Sequence, residues 1–282
     1  MFELCLINGQ SPDVRALWKR GFGDNDAYLD LFFSCLPNVP IAAARQDGHI
    51  VSMAMALDGL TLRRPGMADV PMHYAYCVTT LPEYRGKGMS RAIMRCLAAR
   101  AQQRGALLCW RPASQSLAAW YAGILPVQTG FPLCQASFMP ADGCAGALTA
   151  TPIEHEMYSV LRERLLADQP HVTFPLELLH FQQLTGKHSG GGLWRLDGPS
   201  ATGCAATERD TDGTLLIREL LVSSGAHADG AAALLQAHGA QAAQARFPVG
   251  ADAGLTSPTF IQVCAEQPPA MLKHAWFGFI FD

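Results

Sequence analysis

A loop at residues 82 to 95, PEYRGKGMSRAIMR, combines the residue types that bind anions. Arg85 and Lys87 can form charge-assisted hydrogen bonds to an oxyanion. Gly86 and Gly88 let the backbone approach such a ligand without a Cβ in the way. A helix start behind the loop adds free N–H groups and the positive end of the helix dipole. The pattern therefore predicts a phosphate-binding site.

The segments around this loop predict the order strand, loop, helix, strand. Residues 72–80 are a strand-like run, residues 90–104 are an amphipathic helix that Gly105 ends, and residues 106–110 are the next strand. The apolar face behind the loop carries Met89, Ile93, Cys96 and Leu97. The helix can thus pack on a sheet while its N-terminus faces a ligand.

Two other phosphate-binding motifs fit the sequence poorly. A Walker loop requires GxxxxGK[ST], but Gly186-Lys187 is followed by His188 and lacks the upstream glycine. A dinucleotide fingerprint requires GxGxxG, but the last glycine is replaced by Arg91. We therefore expect neither a P-loop nor a dinucleotide site.

Composition limits the classes of function. A chain of 282 residues predicts one large or two moderate domains, and 49% apolar with 16% charged residues indicates a folded core. A net charge of −3 gives no general attraction to nucleic acid or to an anionic membrane. Nine cysteines without CxxC pairs favour reduced thiols in the cytoplasm. We expect no signal peptide, no membrane span and no metal site.

The remaining segments predict a mixed α/β chain in two parts. Strands are expected at residues 2–7, 41–57 (a hairpin around Asp47-Gly48), 191–196, 203–207, 214–222, 243–249 and 274–281, and helices at 11–22, 24–36, 153–166, 175–184 and 228–240. Residues 141–152 are rich in Gly, Ala and Pro and predict a linker. Beyond it, residues 214–249 repeat the order strand, loop, helix, strand.

The loop and its lead-in, VTTLPEYRGKGMSRAIM, resemble the signature of the GNAT superfamily of acyl-CoA-dependent N-acetyltransferases. That signature is [QR]xxGx[GA] at a strand-to-helix turn. Arg85 and Gly88 match it, whereas Ser90 stands in place of glycine or alanine. The resemblance covers roughly residues 1 to 138.

The resemblance implies a GNAT-like fold, of the mixed-sheet α/β class, that uses acetyl-CoA as co-substrate. The CoA pyrophosphate would bind the backbone N–H groups of the loop. The pantetheine arm would run as an extra strand along the end of the preceding strand. The cofactor-binding residues implied in this way are Val78, Thr79, Thr80, Arg85, Gly86, Lys87, Gly88, Met89 and Ser90.

The catalytic candidates are an acid and a base. GNAT enzymes place a tyrosine on the helix after the next strand, which implies Tyr121 as the acid that protonates the departing thiolate; packing on the sheet is the alternative. His73 could titrate near neutral pH and serve as the base, or be structural. The α-carboxylate or side chain of Asp282 is a further candidate base, by resemblance to tandem acetyltransferases of the enhanced-intracellular-survival type.

The second half resembles the degenerate C-terminal copy of tandem acetyltransferases. The predicted organisation is an acetyl-CoA-binding domain at residues 1–140, a linker at 141–152 and a degenerate GNAT-like domain at 153–282. The second domain would help to form the acceptor cleft or make an oligomer contact.

The predicted activity is direct acetyl transfer from acetyl-CoA to a primary amine of a small molecule or peptide. The alternative is a non-catalytic acyl-CoA-binding sensor or scaffold.

Overall fold

The chain folds into two compact units in the computed structural model, which describes residues 2–142, 147–223, 225–248, 256–257, 261–266 and 269–279. The first unit comprises Met1–Leu62, Ala68–Gly130 and Phe260–Ala270, and the second comprises Arg63–Met67, Phe131–Thr259 and Met271–Asp282.

The strands are β1 (Glu3–Asn8), β2 (Pro40–Gln46), β3 (His49–Arg63), β4 (Val70–Thr80), β5 (Leu107–Trp110), β6 (Val127–Gly130), β7 (Leu133–Phe138), β8 (Thr149–Pro152), β9 (His171–Thr173), β10 (Gly192–Asp197), β11 (Thr202–Arg209), β12 (Leu215–Val222), β13 (Ala243–Phe247), β14 (Thr256–Ser257) and β15 (Ile261–Cys264). The helices are α1 (Pro12–Phe22), α2 (Asp26–Cys35), α3 (Met89–Gln103), α4 (Gln115–Ala122), α5 (His155–Leu166), α6 (Leu176–His188) and α7 (His227–His238).

The first unit is built on a mixed sheet with strand order β1-β2-β3-β4-β5-β15-β6. The pairs along this order are antiparallel except β4 and β5, which are parallel and are joined through α3. A parallel pair needs such a crossover because a tight hairpin cannot connect it. The predicted order of strand, loop, helix and strand is confirmed.

Local signals set the element ends in this unit. Ser11 caps α1, where its hydroxyl accepts a hydrogen bond from the Val14 N–H at 3.3 Å, and Asn25 caps α2 in the same way. Asp47 and Gly48 both have positive φ angles, of 52° and 83°, between β2 and β3. Positive φ at both central residues suits the tight turn of a hairpin. The sequence predictions for both helices and for this hairpin are confirmed.

The second unit is also built on a mixed sheet, with order β14-β7-β13-β12-β11-β10-β8. Its one parallel pair among the described strands is β12 with β13, and α7 connects them. This repeats the order of β4, α3 and β5 in the first unit. The predicted fold class, a mixed α/β chain with a second GNAT-like half, is therefore confirmed.

The two units interleave along the sequence. Strand β15 lies between β5 and β6 in the first sheet, although almost the whole second unit precedes it in the chain. Strand β7 pairs in the second sheet, although it precedes residue 140. Residues 141–152, the expected linker, include strand β8, which pairs with β10. The predicted domains are continuous segments divided at residues 140 and 153, whereas each compact unit is assembled from separate segments of the chain.

The strand expected at residues 274–281 is wrong for its described part. Residues 274–279 form a single bridge, from Trp276 to His171, and no strand. Gly278 has a φ of 98°, which leaves the extended region. The Trp276 indole N–H donates a hydrogen bond to the buried carboxylate of Glu219, so side-chain bonding holds this segment instead of a ladder.

We predict that Ile261→Ala lowers the free energy of unfolding by about 3 kcal/mol, because Ile261 is fully buried on β15, between β5 and β6. Denaturant unfolding of the full chain measures the effect. Gln128→Ala, at an exposed position on the adjacent strand β6, is the control and should change little. Equal stability of both variants would contradict the placement of β15.

Candidate functional site

The site begins where β4 separates from β5. Residues Met72–Tyr74 of β4 pair with Leu107–Cys109 of β5, and β4 then continues without β5 to Thr80. On its other edge β4 remains paired with β3 up to Thr80. Past Tyr74, the edge of β4 toward β5 therefore offers main-chain groups that β5 does not use. Such an edge can pair with an extended ligand as an added strand would.

A β-bulge lies in β4 beyond its last pair with β5. Met53 pairs with Thr79 and Met55 with Tyr76, so β4 has one residue more than β3 between these pairs. Cys77 lies in the bulge with a φ of 53°. A left-handed conformation costs a residue with a Cβ roughly 1–2 kcal/mol, and such strain tends to occur at functional sites. A bulge also bends the strand and re-aims the residues after it.

An open cleft lies beside the end of β4. Its volume is about 510 Å³, and its walls come from the end of α1, the end of β4, the loop before α3, and α4. A second hollow of about 400 Å³ lies around the loop and the first turn of α3. The two share Thr80, Arg85, Gly86, Ser90 and Trp120, so they form one continuous groove.

The loop presents an uncapped helix N-terminus to this groove. Gly88 is the N-cap of α3 and supplies no side-chain hydrogen bond, whereas side chains cap α1, α2 and α4 in the same unit. Gly86 and Gly88 have φ angles of 77° and 81°, and a Cβ at either position would meet no atom within 4 Å. The first N–H groups of α3 are therefore available to an anion.

The two cations of the loop are held at its edges. The Arg85 Nε donates a hydrogen bond to the Thr80 carbonyl at 3.2 Å. The Lys87 ammonium lies 4.8 Å from the centroid of the Tyr84 ring. These contacts keep both positive charges beside the groove.

A chain of hydroxyl groups fixes the end of β4 to its neighbours. The Thr80 Oγ1 lies 2.7 Å from the Ser52 Oγ and 2.6 Å from the Ser90 Oγ. Ser52 belongs to β3 and Ser90 to the first turn of α3. Ser90, which departs from the GNAT signature, thus has a structural role that glycine or alanine could not fill.

Helix α4 brings Tyr121 to the same cleft. Its ring is buried against Trp110 and Trp120, with centroids 5.1 and 4.9 Å away, and burial raises the pKa of its hydroxyl to about 12. Within the described part of the chain, this hydroxyl makes no hydrogen bond and is not sealed from solvent. Tyr121 is therefore a protonated acid at neutral pH, at the edge of the groove.

His73 lies apart from the groove. Its Nδ1 is 3.2 Å from the Asp58 Oδ1 and 3.1 Å from the Arg100 Nη1. Burial lowers the pKa of His73; Asp58 opposes this, and Arg100 adds to it. Val78 is five residues further along β4, roughly 16 Å at 3.3 Å per residue. His73 does not line the groove, and its buried ring packs in an ion-pair cluster. Asp282, the other candidate base, lies outside the described residues.

The structure thus brings the predicted cofactor-binding residues together. Val78, Thr79, Thr80, Arg85, Gly86, Lys87, Gly88, Met89 and Ser90 line the groove, with Tyr121 at one side. Sequence reasoning missed Gly21 and Gln262. A Cβ on Gly21 would lie 2.5 Å from the Thr79 Oγ1, so this glycine permits the close approach of α1 to β4. Gln262, which is far from Tyr121 in the sequence, forms hydrogen bonds with Trp110 and Ala118 beside Tyr121.

Residues 7–119 match the family model of the acetyltransferase (GNAT) domain. The matched residues include β4, the loop and α3, so this part of the chain is similar to the GNAT acetyltransferase domain. No curated protein matches the chain significantly.

Solved structures share the fold over most of the chain. A probable N-acyltransferase of Enterococcus faecalis V583 is 17% identical with a TM-score of 0.67, over 93% of this chain and 72% of that one. A tandem GNAT protein from the clavulanic acid biosynthesis pathway is 12% identical with a TM-score of 0.53, over 96% and 100%. N-Myristoyltransferase of Saccharomyces cerevisiae, with bound myristoyl-CoA, is 12% identical with a TM-score of 0.54, over 87% and 76%.

The second GNAT-like unit differs at the equivalent helix start. His227, the first residue of α7, stacks on Phe247, the last residue of β13, with centroids 4.2 Å apart. Burial lowers the pKa of His227, which favours the neutral ring. Asp229 adds a negative charge in the first turn of α7. The start of α7 thus carries a stacked His227–Phe247 pair and a negative charge that a phosphate would avoid.

Other site types find no support in the described residues. Among them, no group of three His, Cys, Asp or Glu side chains could hold a metal ion. No helix in the described ranges is long and apolar enough to cross a membrane.

We predict that Thr80→Val destabilises the GNAT domain by about 1–2 kcal/mol, because it removes the central hydroxyl of the Ser52–Thr80–Ser90 chain. Denaturant unfolding measures the loss. Thr79→Val is the matched control at the neighbouring position, since the Thr79 hydroxyl makes no comparable bond in the described structure. A loss of the same size in both variants would contradict the role of the chain.

Proposed function

We propose that this chain is an acetyl-CoA-dependent N-acetyltransferase that transfers the acetyl group directly to a primary amine. The observation that carries the proposal is one groove that joins an uncapped helix N-terminus, an unpaired strand edge and the buried Tyr121. The helix N-terminus suits a pyrophosphate, the strand edge suits an extended amide arm, and Tyr121 suits the departing sulfur. This is the order of groups along an acyl-CoA.

The diphosphate end of CoA would bind at the loop. The N–H groups of Met89 and Ser90 lie at the positive end of the α3 dipole, and the glycines leave room for phosphate oxygens next to the backbone. Arg85 and Lys87 add positive charge at the edge of the groove. The pantetheine arm would then lie along β4, where Val78, Thr79 and Thr80 line the cleft.

The reaction requires one proton to leave the amine and one to reach the sulfur. The unprotonated amine attacks the thioester carbon, and the backbone N–H at Val78 would stabilise the oxyanion. The C–S bond then breaks, and the Tyr121 hydroxyl gives its proton to the thiolate. The tyrosinate recovers a proton from the former amine, so the net products are the N-acetyl amide and free CoA thiol.

No cysteine is needed as an acyl carrier in this scheme. Cys77, the cysteine of β4, directly precedes Val78 in the groove. It is buried, and burial raises the pKa of its thiol well above its usual range. A neutral buried thiol is a poor nucleophile. Direct transfer to the amine therefore fits the site better than an acyl-enzyme.

The family description, acetyltransferase (GNAT) domain, supports acetyl as the transferred acyl group. A series of acyl-CoA substrates from acetyl-CoA to myristoyl-CoA tests this, and the highest kcat/KM should be that for acetyl-CoA.

The acceptor would be a small-molecule or peptide amine. A panel of tyramine, spermidine, kanamycin and a lysine peptide, followed by thiol release, tests this class. Binding of acetyl-CoA without thiol release on any amine would favour a sensor. We further propose that the protein acts in the cytoplasm.

We predict that Gly88→Val weakens acetyl-CoA binding at least tenfold, because a branched side chain at this helix start would occupy the space open to phosphate. Isothermal titration calorimetry measures the affinity and should give one site per chain. Gly48→Val is the matched control, since Gly48 has a φ of 83° and equally open surroundings in the hairpin turn. Unchanged affinity in Gly88→Val, or two sites per chain, would refute this assignment.

We predict that Tyr121→Phe lowers kcat roughly 100-fold while the affinity for acetyl-CoA stays nearly the same. The variant keeps the ring and removes the acid. Tyr84→Phe, a tyrosine beside the adjoining hollow, is the control and should keep the parent kcat. Single-turnover kinetics show whether chemistry limits the rate.

The pH profile gives a second check of this role. Because burial raises the pKa of Tyr121 to about 12, its hydroxyl stays protonated through pH 10. The parent kcat should therefore show no alkaline loss between pH 7 and 10. A loss centred near pH 10, present in the parent and absent in Tyr121→Phe, would mean that Tyr121 titrates as an ordinary phenol.

A further inference from the structure

Gln262 is a buried polar side chain on an interior strand of the first sheet. It lies on β15, between β5 and β6, and is only 6% exposed. Its Oε1 accepts a hydrogen bond from the Trp110 Nε1 at 2.9 Å, and its Nε2 donates one to the Ala118 carbonyl at 2.9 Å. Both ends of the amide are thus used, and the two partners belong to different elements.

Both partners lie directly beside Tyr121. The Trp110 ring packs against the Tyr121 ring, with centroids 5.1 Å apart and planes inclined by 49°. Ala118 lies three residues before Tyr121 in α4, a spacing that places the two on the same side of a helix. Gln262 therefore bonds both to Trp110, whose ring packs against Tyr121, and to α4, the helix that carries Tyr121.

Glutamine is suited to this position by its chemistry. A buried indole N–H needs an acceptor, and the bond to Ala118 needs a donor. A glutamine amide supplies one of each in a fixed plane. Glutamate could only accept at neutral pH, and methionine, which has a similar length, offers neither bond.

We propose that Gln262 is a positioning residue for acyl transfer, which sets the place of Tyr121 by joining Trp110 to α4. This inference rests on the proposed function, since it assigns Tyr121 the role of acid. It also makes a strand from late in the sequence part of the catalytic site. The acid then depends on a residue 144 positions from its own helix.

The test is a double-mutant cycle in the full chain, with acetyl-CoA and the amine of the panel that turns over fastest. Gln262→Met keeps the side-chain length and removes both hydrogen bonds. We expect kcat to fall about tenfold or more, because small displacements of a catalytic group are costly. The KM for acetyl-CoA should change less than about twofold. In the Tyr121→Phe background, the same substitution should change kcat less than about twofold.

Two variants guard against loss of folding. Gln128→Met, at an exposed position on β6, is the matched control and should behave as the parent. If thermal unfolding shows that Gln262→Met is not folded, Gln262→Glu replaces it, since it keeps the acceptor for Trp110 and loses the donor to Ala118.

A second measurement needs no turnover. In protein labelled with ¹³C-tyrosine, the NMR signal that disappears in Tyr121→Phe belongs to Tyr121. This signal should shift in Gln262→Met and stay in place in Gln128→Met. An unshifted signal overturns the inference, as does an equal kcat loss in the two backgrounds or no loss in the parent. If Tyr121→Phe alone keeps the parent kcat, the proposed role of Tyr121 fails, and the NMR signal by itself decides whether Gln262 positions the ring.

Discussion

A strand that separates from one neighbour loses the ladder hydrogen bonds on that edge and must be held from its other edge and by side chains. The end of β4 is under this constraint, because β5 pairs with it only as far as Tyr74. Ladder bonds to β3 continue on one edge, while the hydroxyls of Ser52 and Ser90 bond Thr80. The groove exists because this end is rigid although one of its edges is open.

The same constraint explains the unusual local conformations. The bulge at Cys77 directly precedes Val78, which lines the groove, and Gly86 and Gly88, both with positive φ angles, line it themselves. Gly21 lets α1 approach β4 closely. Several strained or side-chain-free positions therefore lie where a ligand would need the main chain.

Sequence patterns predicted the local parts of this site well. The loop, the cap at Ser11 and the Asp47-Gly48 turn depend on neighbouring residues, so their signals are contiguous in the sequence. Gln262 could not be predicted, because its bonds join residues 144 and 152 positions away, and a lone glutamine in an apolar strand has no signature. The aromatic run at 274–281 misled because its pattern suits a strand, whereas Gly278 and the bond from Trp276 to Glu219 set the conformation of residues 274–279.

The place of β15 also has a consequence for how the protein is made. Ribosomes deliver the chain from the N-terminus, so β5 and β6 emerge long before the strand that lies between them. The first sheet cannot be completed until residues 261–264 have left the exit tunnel. During that interval two strand edges stay unpaired, which is the situation that chaperones protect from aggregation. The N-terminal half should therefore complete its sheet only after β15 has been synthesised.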